Sequence, residues 1–190
     1  GSGAGRGGGG AGGMRAGLTR GLSAPSAAKS GYSCKVTGTD GRVVEADAVV
    51  VTLPLGVLKA GTVEFAPRLP ARKLEAVSSL GFGLLNKVVL EFPSAFWREK
   101  LGRRRLLAHV SETKGDFYLF LDLTEMCGRP VLVSLIPGAQ AHRAEAESAG
   151  ETAGRCLAVL RRIFPEVRVP APVHAAASRW GSDKWARGSY

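Results

Sequence analysis

The stretch GFGLLNKVVLEF, Gly81 to Phe92, decides how this chain is read. From Leu85 to Phe92 only Asn86, Lys87 and Glu91 are polar, and Val88, Val89 and Phe92 favour extended backbone, so a largely buried strand is predicted. An ammonium inside such a strand needs a physical reason. Either Lys87 stands near the strand end and lays its stem along apolar surface with the tip in water, or it faces a closed cavity. In a cavity, desolvation lowers the pKa of a lysine and lets it hold a water or act on protons. The strand by itself leaves both readings open.

Working outward, Pro70 to Leu80 reads as a helix with proline in its first turn, Leu74, Val77 and Leu80 on one face, and Gly81 as its stop. After Trp97, apolar stretches at Arg105 to Val110, Asp116 to Leu121 and Pro130 to Ile136 are separated by glycine and charged turns. They predict antiparallel strands of one sheet, a cavity wall. Glu151 to Phe164 is the clearest helix, because Ala153, Cys156, Leu157, Leu160, Ile163 and Phe164 recur at helical spacing and Pro165 stops it. That stripe reads as core. A last strand, Val173 to Ala177, leads into a cluster of Trp180, Trp185 and Tyr190, where Gly181 and Gly188 imply bent, loop-like backbone.

On the amino-terminal side, Tyr32 to Thr37 and Arg42 to Ala46 flank Gly38-Thr39-Asp40-Gly41, a turn signal that predicts a hairpin. Ala48 to Val51 is apolar without alternation and predicts a strand covered on both faces, as in a parallel α/β sheet. Thr52-Leu53-Pro54 then turns the chain into a short helix, at the strand end where open α/β sheets place ligands. Gly1 to Ser30 holds almost no large apolar residue, so a flexible tail or linker is expected over 1–31. Gly3 to Gly8 satisfies G-x-G-x-x-G by composition alone, since no strand precedes it and no helix follows.

With 45% hydrophobic and 22% charged residues in 190, the chain suits a soluble globular protein with a core of useful size. The net charge of +10 owes four units to Arg6, Arg15, Arg20 and Lys29 of the tail. The remainder is scattered apart from Arg103-Arg104-Arg105 and Arg161-Arg162, without interleaved aromatics, so no sequence-specific nucleic-acid surface is expected. Cys34, Cys127 and Cys156 are far apart and lack metal-ligand spacing with His109, His142 or His174. This predicts packed thiols in a reducing compartment, no disulfide framework and no metal site. The longest apolar run, Ala48 to Leu58, is broken by Pro54 and Gly56, so no membrane span is expected.

GFGLLNKVVLEF followed by Phe96-Trp97 resembles the strand carrying the active-site lysine in the flavin-dependent amine oxidases, and within them the lysine-specific histone demethylase type. TLPLGVLK (Thr52 to Lys59), GRCLAVLRRIF (Gly154 to Phe164) and SRWGSDKWARGSY (Ser178 to Tyr190) continue the likeness in the same order, over roughly Asp40 to Tyr190 and more weakly between Arg98 and Arg129. The resemblance implies an α/β chain with an incomplete fold. Residues 32–60 would be part of an FAD-binding α/β domain, 61–175 an α+β substrate domain, and 176–190 the start of a carboxyl-terminal FAD-binding segment. It also implies FAD as cofactor, lined by Thr52, Leu53, Pro54, Leu85, Trp180, Trp185, Ser189 and Tyr190. Lys87 would be the catalytic residue, holding a water near flavin N5. Tyr190 would contact the substrate amine as part of an aromatic wall that attracts a cation by its ring quadrupole, and Asn86 would orient the strand or bind the substrate.

The implied reaction is oxidation of a C–N bond to an imine, with hydrogen peroxide formed as dioxygen reoxidises the flavin. A methylated histone tail is the implied substrate, with a chromatin complex as partner and the nucleus as location. A polyamine is the alternative substrate, with cytoplasm, peroxisome or plastid as alternative locations. The family's amino-terminal glycine fingerprint and the glycine-rich segment beyond the final Ser189-Tyr190 are not found in these 190 residues. The chain is therefore expected to be a fragment that alone neither retains FAD nor oxidises amines. A reading from another class, a non-catalytic chromatin or RNA interaction module with a basic tail, competes with it.

Overall fold

The computed structural model describes residues 34–190 and the backbone of strand β1 (Thr19–Leu22). The chain divides into two compact units. One draws on the chain up to Thr52 and on Leu58–Ser78, the other on Leu53–Val57 and Ser79–Tyr190.

In the first unit, β2 (Cys34–Thr37) and β3 (Val43–Ala46) form the predicted antiparallel hairpin. Gly41 at φ +81° provides the left-handed residue, and the Asp40 carboxylate accepts from the Arg42 amide at 3.0 Å. Tyr32 and Ser33 lie outside the described residues. β1 adds to β2 antiparallel and to β4 (Glu64–Ala66) in parallel, giving the order β3-β2-β1-β4. Helix α1 (Leu55–Lys59) begins after Pro54, whose carbonyl accepts from the Val57 amide at 3.0 Å, as the sequence predicts.

The predicted strand Ala48 to Val51 does not form: none of these residues is in a strand, and Val50 is 87% exposed. An apolar run becomes a strand only where a neighbour takes up its backbone groups, and no described strand pairs with it. Helix α2 (Ala71–Ser79) forms as expected, with Pro70 accepting from the Lys73 amide at 2.8 Å. Its apolar side is not fully covered, since Leu74 is 46% exposed. Leu74 and Val77 instead line a groove of about 420 Å³ with Leu58, Phe65 and Leu69.

The second unit is built on β5 (Leu85–Glu91). The short helix α3 (Arg98–Leu101), the strands β6 (Leu106–Ala108) and β7 (Leu119–Asp122), the turn of helix α4 (Thr124–Cys127) and β8 (Val131–Pro137) follow. Helices α5 (Gly138–Ala146) and α6 (Ala149–Ile163) and strand β9 (His174–Ala177) complete it. The strands form one antiparallel sheet in the order β6-β7-β8-β5-β9, as the alternation of apolar stretches and turns predicts.

Helix α6 starts at a capping box in which the Ser148 hydroxyl accepts from the Glu151 amide at 3.1 Å and the Glu151 carboxylate accepts from the Ser148 amide at 2.7 Å. Its stripe of Ala153, Cys156, Val159 and Leu160 packs in one cluster with Val88, Leu90, Phe120, Leu132 and Ile136 of the sheet. Trp97 is wholly buried beside Phe92 and Phe96, and its indole donates to Asp122 at 2.9 Å. Cys34 and Cys156 are packed as expected, burial pushing the Cys156 thiol well up, but Cys127 at the end of α4 is exposed. The mixture of helix and sheet agrees with the predicted fold class, apart from the strand at Ala48 to Val51.

Candidate active site

Because side chains alternate along a strand, β5 presents two sets of residues. Asn86, Val88 and Leu90 are buried, while Leu85, Lys87, Val89 and Glu91 lie on the opposite, more open face. Directly paired residues share a face, so Lys87 stands beside Leu135, which stands beside Leu119 and then Ala108. Val89 likewise joins Val133, Leu121, Leu106 and Ala176. The face is apolar, and Lys87 is its only lysine or arginine. Glu91, toward its end, is paired with Arg129 at 3.1 Å, whereas the Lys87 ammonium has no ion pair or hydrogen bond among the described residues. Lys87 is half-buried in mid-strand, between the two sequence readings: neither at a strand end nor sealed in.

The terminal segment is stitched to this strand. The Ser178 amide donates to the Lys87 carbonyl at 2.9 Å, and the Ser178 hydroxyl accepts from the Lys87 amide at 2.8 Å. The Asn86 side-chain oxygen accepts from the Ser178 hydroxyl at 3.2 Å and the Trp180 amide at 3.0 Å. Farther along, the Leu85 amide donates to the Ser189 hydroxyl at 2.9 Å, and that hydroxyl donates to the Leu85 carbonyl at 2.9 Å. The Tyr190 hydroxyl donates to the Gly81 carbonyl at 3.2 Å, and its ring meets Phe82 edge-on at 5.0 Å.

Two glycines permit this closeness. At Gly188, with φ +135°, a Cβ would fall 2.5 Å from the Phe82 ring. At Gly56 it would fall 2.7 Å from Phe82 and 2.5 Å from the Arg187 carbonyl. The helix start that follows Leu53 and Pro54 is therefore held against the terminal segment, whereas Thr52 falls in the other unit and is exposed. Trp180, Trp185 and Tyr190 are 40%, 42% and 76% exposed, and the Lys184 ammonium stands over the Trp185 ring at 4.8 Å.

Sequence reasoning missed Glu145. Its carboxylate accepts from the Asn86 side-chain amide at 2.7 Å, from the backbone amides of Gly181 at 2.9 Å and Ser182 at 3.0 Å, and from the Ser182 hydroxyl. Burial opposes its ionisation, but the donors from Ser182, Asn86 and Gly181 outweigh that and hold its pKa below the ordinary glutamate value. Only the alanine spacing of α5, with Ala141 and Ala144 buried, could have signalled a helix that presents Glu145 to the sheet.

Residues 25–190 match the family described as flavin containing amine oxidoreductase. The chain belongs to that family. Among its relatives is lysine-specific histone demethylase 1 homolog 1 of Oryza sativa subsp. japonica, 44% identical over 163 residues that cover 84% of this chain and 19% of the relative. The homolog 1 protein of Arabidopsis thaliana is also 44% identical, over 80% of this chain and 18% of its own length. The chain thus spans about a fifth of the curated relatives it matches. Wild-type putrescine oxidase bound to putrescine superposes with a TM-score of 0.65 at 29% identity, over 83% of this chain and 34% of that one. The expected resemblance to flavin amine oxidases of the histone demethylase type is borne out, and the expected FAD cofactor agrees with it.

The residues present suit a flavin of this amine oxidase family on their own chemistry. Half-exposed indoles provide planar apolar surface, and the Lys87 ammonium, which has no acceptor among the described residues, supplies a donor on an apolar sheet face. Among the described residues no group of three metal-ligating side chains exists, and no helix is long and apolar enough to cross a membrane.

Proposed function

We propose that this chain supplies the substrate sheet and part of the flavin pocket of an FAD-dependent amine oxidase of the lysine-specific histone demethylase type. Residues 61–175 would form the substrate domain, with 32–60 and 176–190 belonging to the FAD-binding domain. The observation that carries the reading is Lys87, an ammonium without a partner among the described residues, at mid-strand on an apolar face of a strand bonded to the segment bearing Trp180 and Tyr190. Leu53, Pro54, Leu85, Trp180, Trp185 and Ser189, all in the second unit, would hold the cofactor. Held there, FAD would supply the two-electron oxidation of the substrate's C–N bond to an imine, with dioxygen as the final acceptor.

Lys87 would hold a water by donating to it, and the apolar residues around it exclude others. Tyr190 would receive the amine against its ring face, which attracts the cation yet offers no carboxylate to keep it protonated. Asn86 fixes the strand rather than reaching the amine, because both ends of its amide are already bonded within the protein. A methylated histone tail is the substrate favoured by the relatives' names, with a chromatin complex as partner and the nucleus as location. A polyamine is the second reading, favoured by the likeness to putrescine oxidase. Assaying the flavin-loaded full-length protein for peroxide separates them. Turnover of a dimethyl-lysine histone peptide with none of spermine or putrescine supports the first, the reverse supports the second, and no turnover of any amine contradicts both.

A further inference from the structure

We infer that Glu145 is a positioning residue for this oxidation, its carboxylate acting through the Asn86 amide to set the Trp180 turn against the strand that carries Lys87. The inference rests on the amine oxidase reading above and adds a residue that touches neither flavin nor substrate.

Donor and acceptor bookkeeping makes the argument. An ionised carboxylate only accepts, so the group of Asn86 that faces Glu145 has to be its NH2, and its oxygen is turned to Trp180 and Ser178. The Ser178 hydroxyl, which donates to that oxygen, accepts in turn from the Lys87 amide at 2.8 Å. One carboxylate therefore orders a chain of donors that ends at the backbone of the candidate catalytic lysine. Its remaining capacity takes the Gly181 and Ser182 amides and the Ser182 hydroxyl, so the turn after Trp180 is bonded directly to it as well. The turn sits flush on this group: a Cβ at Gly181 would lie 3.1 Å from the Glu145 carboxyl carbon and 3.2 Å from Leu84.

Glutamine at this position keeps the volume but adds two donors where four donors already converge. The Asn86 amide is then free to turn over, which removes the acceptor from Trp180 and Ser178 together. Misplacement of site residues by such a loss outside direct contact costs about 10- to 100-fold in rate.

The test compares Glu145→Gln with the wild type in the flavin-loaded full-length protein, using rapid mixing to separate flavin reduction from amine binding. Amide exchange of residues 180–182 gives a second readout that needs no turnover. The expected result is flavin reduction about 10- to 100-fold slower, with amine affinity within about threefold and faster exchange at 180–182. Glu147→Gln, which loses contacts to Arg143, Thr152 and Arg155, is the control and should lower the melting temperature without changing either readout. If Glu145→Gln does not fold, Ser182→Ala takes its place, with the same signature at about threefold. Wild-type reduction rates in the variant, or the same change in Glu147→Gln, would overturn the role of Glu145 alone. A wild type whose flavin no amine reduces overturns the parent reading with it.

Discussion

The two faces of β5 make the central comparison. Val88 and Leu90 are 0% and 1% exposed under α6, while Val89, between them, is 36% exposed and Lys87 stands half-buried. One set of alternate residues is committed to a close-packed interior, where any change of volume is felt. The other is relieved of that duty and can be chosen for chemistry. A lysine on the first face would bury an unpaired charge. On the second, its ammonium is available to a water or cofactor beside Leu135, its partner in the register, leaving the fold undisturbed.

The largest stability effect should follow Leu90→Ala, which opens a cavity in the core and is expected to cost about 3 kcal/mol in urea unfolding. A loss below about 1 kcal/mol would erase the distinction between the faces. Next comes acid. Asp122 and Glu145 are both held below the ordinary carboxyl range: burial opposes ionisation in each, and hydrogen bonds outweigh it, from Thr124 and Trp97 for Asp122 and from Ser182 and Asn86 for Glu145.

A depressed folded pKa means that the unfolded chain takes up protons first as pH falls. Their stabilisation is therefore fully present above the ordinary values of 3.8 and 4.5 and is lost as pH drops through the folded values. Melting temperatures should be level on this account down to that range and then decline, less steeply in Glu145→Gln. An equal acid slope in wild type and variant would remove Glu145 from the ledger. The smallest effect belongs to Val89→Ala on the open face, about 0.5 kcal/mol, and a value near that of Leu90→Ala would show the face to be packed after all.

Legibility in the sequence followed the strength of the local signal. Lys87's strand, the hairpin at Gly38 to Gly41 and helix α6 were legible because their apolar periods or turn residues decide the structure locally. Ala48 to Val51 failed because its four apolar residues specify a strand only if a neighbour receives them, and that information is not local. Helix α5 was invisible because its buried residues are alanines, and Glu145 on it read as a solvated charge. Its partners lie 59 residues away at Asn86 and 36 and 37 away at Gly181 and Ser182, so only tertiary structure shows that the carboxylate is committed. The candidate site shows the same division. Trp180, Trp185 and Tyr190 stood out by composition, whereas Ser178 and Ser189, which tie them to β5, carried no visible signal beyond the family's pattern.

The most direct test of the account is Lys87→Met in the flavin-loaded full-length protein, with flavin reduction and reoxidation followed by rapid mixing beside urea unfolding. The account predicts one of the two rates slowed by about 100-fold, with amine binding and unfolding free energy nearly unchanged. Wild-type rates in the variant, or a loss of stability comparable to Leu90→Ala, would contradict it.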